Sequence, residues 1–62
     1  MELTLTDAQA TELRDLLEGS LGDLSSEIAD TDNPSYRLAL KERRTRLQAV
    51  LAQLDAAGVA VG

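Results

Sequence analysis

The single proline, Pro34, divides two long stretches in which apolar residues recur every three or four positions, and this division constrains the fold more than any other feature. Proline disfavours helical dihedrals at the residue before it, Asn33, while its own fixed φ suits the first position of a helix. Asn33 is in turn a good N-cap. The run Asp30-Thr31-Asp32-Asn33-Pro34 therefore reads as a short turn. A turn of that length leaves its flanking helices as antiparallel neighbours.

The first helix is expected over residues 7–30. Leu13, Leu17, Leu21, Leu24 and Ile28 step by four, four, three and four, which keeps them on one helical stripe, with Ala10 and Leu16 nearby. Glu12, Asp15, Asp23, Glu27 and Asp30 lie on the opposite face. Thr6 and Gln9 have the spacing of a capping box, Asp7 places a negative charge at the positive end of the helix dipole, and Leu5 can staple onto Ala10. Gly19 and Gly22 are the weak point, since each costs ~1 kcal/mol in a helix interior. They permit either a bend or a continuous helix that a neighbour approaches closely. The Leu17-Leu21-Leu24 phase runs through them unbroken, which favours continuity.

The second helix is expected over residues 34–57, with a stripe of Tyr36, Leu40, Leu47, Val50, Leu51 and Leu54 and with Leu38 off to one side. Leu40, Leu47 and Leu54 are seven apart, as in a coiled-coil seam. Arg43 or Arg44 occupies the layer between Leu40 and Leu47, where a long arginine stem can cover apolar surface. Gly58 suits a left-handed C-cap, and Val59 then falls where it would contact Leu54. Residues 59–62 are a short tail.

At 62 residues the chain has room for a single domain, residues 1–62. A domain of this size buries only about 60% of the surface its unfolded chain exposes, and it usually needs a disulfide, a metal or a second copy for stability. There is no cysteine and no histidine. Disulfides, thiolate zinc sites and thiol nucleophiles are thereby excluded, and the commonest metal ligand and general base are missing. A second copy is left as the expected helper. The apolar content is narrow in kind, with twelve Leu and nine Ala but no Phe or Trp, and these residues favour helix over strand.

Acids and bases are segregated along the chain. Residues 1–32 carry nine acids against Arg14, whereas residues 33–62 carry Arg37, Lys41, Arg43, Arg44 and Arg46 against Glu42 and Asp55. The halves are −8 and +3, giving the net −5. In a hairpin, Asp23 and Glu27 are expected to approach Arg37, Lys41 or Arg44. Each exposed pair contributes only ~0–1 kcal/mol, so such pairs select orientation more than they supply stability. The acidic balance opposes general affinity for nucleic acid or anionic membranes. No apolar run reaches the ~20 residues of a membrane span. The opening MELTLTDAQ shows no basic or apolar leader, so a cytoplasmic protein is expected.

Constellations with catalytic potential are sparse. Asp23, Glu27 and Asp30 share a helical face, but a di-iron bundle needs Glu-x-x-His motifs that a chain without histidine cannot form. Ser20, Ser25 and Ser26 lack a histidine base, and Gly19-Ser20-Leu21-Gly22 is too short for a phosphate loop. Tyr36 alone is available to stack a base beside the arginine cluster. No catalytic residue, metal or cofactor is expected. Asp30, Asp32 and Asn33 form an acidic tip that either caps the second helix or meets a partner.

The run from Leu24 to Asp32, LSSEIADTD, together with Leu40-Lys41-Glu42-Arg43, resembles a group of small bacterial helical-hairpin proteins. Their pattern is Asp-Leu-x-x-Glu-Ile-x-x-Thr-Asp followed by Leu-Lys-x-Arg and a Leu-rich second helix. The resemblance covers most of the chain, implies a helical hairpin and implies no catalytic residue. Gly22-Asp23-Leu24-Ser25 and the acidic turn are more weakly similar to the coiled-coil arm of Gre transcript-cleavage factors, a likeness that implies a tip docking on a larger complex.

The fold expected from these features is an all-α antiparallel two-helix hairpin, with helices at about 7–30 and 34–57, that dimerises into a four-helix bundle. The expected association surface comprises Leu13, Leu16, Leu17, Leu21, Leu24 and Ile28 of the first helix, and Leu40, Leu47, Val50, Leu51 and Leu54 of the second. The expected role is non-enzymatic: assembly or protein interaction by a homodimer. The alternative is a regulator that docks on a larger complex through Asp30 and Asp32.

Overall fold

A computed structural model describes residues 3–58. Two helices, α1 (Asp7–Asp30) and α2 (Pro34–Gly58), pack side by side as an antiparallel hairpin joined by residues 31–33. Both helices match the stretches marked out by the leucine spacing.

Side-chain caps set the start of each helix. The Gln9 amide donates to Thr6 Oγ1 at 3.1 Å and the Thr6 amide donates to Gln9 Oε1 at 2.9 Å, completing the capping box. Asn33 Oδ1 accepts from the amides of Ser35 at 3.0 Å and Tyr36 at 3.1 Å, leaving Pro34 in the first turn, where its missing N–H costs nothing. The C-terminus of α1 is closed by a different device. Its last turn has no basic residue, and the guanidinium of Arg37 reaches back from α2 so that Nη2 donates to the Thr31 carbonyl. A cation at the carbonyl end satisfies an orphan acceptor and suits the helix dipole.

Continuity through Gly19 and Gly22 is observed, but the close approach that glycine would allow is not. A Cβ added at either position would meet nothing within 4 Å. At the other end, α2 takes in Gly58 as its last residue. The Val59 contact expected with Leu54 lies outside the described residues.

The core is thin. Ala10, Leu17, Leu24, Ile28 and Leu40 are buried, and none is fully enclosed. Leu24, Ile28 and Leu40 form one cluster with Leu47 packed against it. Leu13, Leu21, Leu51 and Leu54 are half-buried along the same seam. Arg44 is half-buried and Arg43 exposed, which identifies Arg44 as the residue in the layer between Leu40 and Leu47.

Two expected placements are corrected. Tyr36 and Val50 stand beside the α2 stripe as exposed side chains, because each precedes a seam position by one residue, about 100° round the helix. Asp23 and Glu27 form no ion pair with Arg37, Lys41 or Arg44. Among the described residues the one ion pair is Arg14–Asp55 at 2.8 Å, and Glu27 Oε2 instead accepts from the Tyr36 hydroxyl at 3.3 Å. The cause is helical phase: Asp23 and Glu27 lie to one side of the seam, Arg37 and Arg44 lie on it, and Lys41 lies on the other side.

Candidate functional site

Two helices side by side make a single layer with two broad faces. The seam of α1 runs through Ala10, Leu17, Leu24 and Ile28, and that of α2 through Arg37, Leu40, Arg44, Leu47, Leu51 and Leu54. A residue one position before or after a seam residue projects about 100° away from it, onto one broad face or the other. In antiparallel neighbours the residues that precede the seam on both helices emerge on the same face. The contact between Glu27, which precedes Ile28, and Tyr36, which precedes Arg37, displays this directly. The Arg14–Asp55 pair marks the opposite face, since Asp55 follows Leu54.

The two faces differ in chemistry. Leu16 and Asp23 precede Leu17 and Leu24, while Arg43 and Val50 precede Arg44 and Leu51, so all four join Glu27 and Tyr36 on one face. Leu16 is 66% exposed, Tyr36 51% and Val50 43%. These three exposed large apolar side chains flank the seam and share a face; the half-buried Leu13 leans to the same side. The other face carries the exposed polar residues Glu18, Ser25, Lys41 and Gln48, each following a seam residue, together with the small Ala29 and Ala52. Leu3 and Leu38 are also exposed: Leu3 precedes α1, and Leu38, which follows Arg37, lies on the second face.

The residues expected to associate therefore divide into three sets. Leu17, Leu24, Ile28 and Leu40 are already covered by the opposing helix of the same chain. Leu13, Leu21, Leu47, Leu51 and Leu54 are half-covered. Leu16 and Val50 are open. Tyr36 completes the open set; its position one residue before Arg37 would have placed it there, had Arg37 been recognised as a seam residue.

The tip offers little. Asp30 and Asp32 are both exposed, and the hydrogen bonds of the turn come from Thr31, Asn33 and Arg37 instead. Among the described residues there is no group of three acidic, His or Cys side chains that could hold a metal ion. No helix among them is long and apolar enough to cross a membrane. Comparison with protein-family models, curated proteins and solved structures gives no match.

Proposed function

We propose that this chain is a non-enzymatic protein-interaction module whose Tyr36-bearing face is covered by a second copy, two hairpins making a four-helix bundle. The observation that carries this reading is the gathering of Leu16, Tyr36 and Val50 on one broad face, whereas the opposite face has Leu38 as its one exposed large apolar side chain among the described residues. Folded domains enclose their core between at least two packed layers, and one hairpin supplies a single layer. A two-fold dimer is the commonest way for a chain to provide the second. Burying Leu16 and Val50 would contribute about 1.5–3 kcal/mol for each side chain fully covered. With no histidine or cysteine in the sequence, a binding role is better supported than a catalytic one.

Sedimentation equilibrium at micromolar concentration tests the proposal. The expected species has twice the 6.6 kDa mass of the chain. A stably folded monomer would overturn it.

A further inference from the structure

We infer that the two hairpins of this dimer lie with their turns at the same end, so that α1 of each copy packs on α2 of the other. This inference rests on the association reading above and adds its geometry. Two hairpins meeting through the same broad face can be related by a two-fold axis in one of two ways. An axis parallel to the helices stacks α1 on the second copy's α2 and keeps both turns at one end. An axis across the helices stacks α1 on α1 and α2 on α2, with the turns at opposite ends.

Charge separates the two arrangements. Within α1 there are seven acids and Arg14, a net of −6, and within α2 five bases and two acids, a net of +3. Apart from Arg14–Asp55, no ion pair among the described residues neutralises these charges inside the chain. Stacking like helices would set the acidic helix against its own copy, an arrangement that opposite-charge selection disfavours. Same-end packing sets each acidic helix against a basic one.

Register within the face agrees. The Glu27–Tyr36 contact and the Leu24–Leu40 cluster fix which residues share a height along the hairpin. An axis parallel to the helices preserves height. Asp23 then comes within a turn of helix of Arg43 of the second copy, and Leu16 falls between Leu47 and Val50 of the second copy. Charged and apolar groups are matched in the same operation. Same-end packing also gathers the exposed Asp30 and Asp32 of both copies, but each lies near an Arg37 and the capped start of α2. At a separation of about 10 Å or more such exposed charges are largely screened at physiological salt.

Because the chain has no cysteine, a single introduced one carries a unique spin label. Asp32→Cys labels the turn, and Ala56→Cys labels the open end; both positions are exposed. Dipolar distances between labels are measured in the dimer, with helicity of each variant checked first. Helix axes pack 8–10 Å apart, so same-end packing gives distances under about 25 Å at both sites. Helices of this length span about 36 Å, so opposite-end packing gives more than about 35 Å at both. Long distances in a confirmed dimer overturn the same-end arrangement and leave association standing. A folded monomer without intermolecular coupling overturns both.

Discussion

The two broad faces of the hairpin are made by the same two helices and differ by a shift of one residue. Positions just before the seam carry Leu16, Tyr36 and Val50, whereas positions just after it carry Glu18, Lys41 and Gln48, with Leu38 as the one exposed large apolar side chain. Neither face is part of the intramolecular core. A single-layer fold thus gives each helix three environments: a seam that closes the hairpin and two open faces of different chemistry. What the difference teaches is that a leucine stripe wider than one neighbouring helix can cover leaves apolar side chains open on one side of the seam.

That comparison can be broken most forcefully at the seam, which both faces share. Leu24→Ala is expected to cost about 2–5 kcal/mol, most of what a domain of this size has, and circular dichroism should show loss of helix. Next in size is the contrast between the faces. Leu16→Asp removes one exposed apolar side chain from each copy, so self-association should weaken by roughly 10²- to 10⁴-fold, the cost of losing about 1.5–3 kcal/mol of burial per chain, or about 3–6 kcal/mol per dimer. Ser25→Asp on the polar face should leave the sedimenting mass unchanged. Equal effects from the two would erase the distinction.

Gly19 and Gly22 sharpen the picture from the back of α1. Since a Cβ meets nothing at either site, Gly19→Ala and Gly22→Ala should each stabilise by about 1 kcal/mol in thermal or urea unfolding. Oligomeric state should not change. Loss of the dimer on either substitution would mean that a helix packs on the glycines and that the wrong face has been identified. The smallest effects belong to the polar links that mark each face. Asp55→Asn, which removes the exposed pair with Arg14, should cost no more than about 1 kcal/mol and less at high salt. Tyr36→Phe, which removes one long exposed hydrogen bond to Glu27, should cost about 0.5 kcal/mol or less.

Much of the fold was legible in the sequence because local rules decide it. The Thr6–Gln9 box, Asn33 with Pro34, and the three- and four-residue leucine steps each act within one turn of helix, and both helices formed where those features placed them. Cross-helix detail was less legible. Whether Glu27 meets an arginine or Tyr36 depends on where the seam passes, and the seam of α2 uses Arg37, which hydrophobic periodicity does not mark, and Arg44, which the leucine spacing narrows only to Arg43 or Arg44. Reading Tyr36 as a seam residue hid the asymmetry of the faces. The reach of Arg37 to the Thr31 carbonyl was equally hidden, because α1 borrows its C-terminal cation from the other helix.

The most direct test is the thermal midpoint of helix unfolding measured over about a hundredfold range of chain concentration, since binding that occurs only in the folded state makes the midpoint concentration-dependent. If a second copy completes the fold, the midpoint rises steadily with concentration, and helicity and dimer are lost together. A midpoint that is the same at every concentration would contradict this and leave the hairpin a self-sufficient monomer.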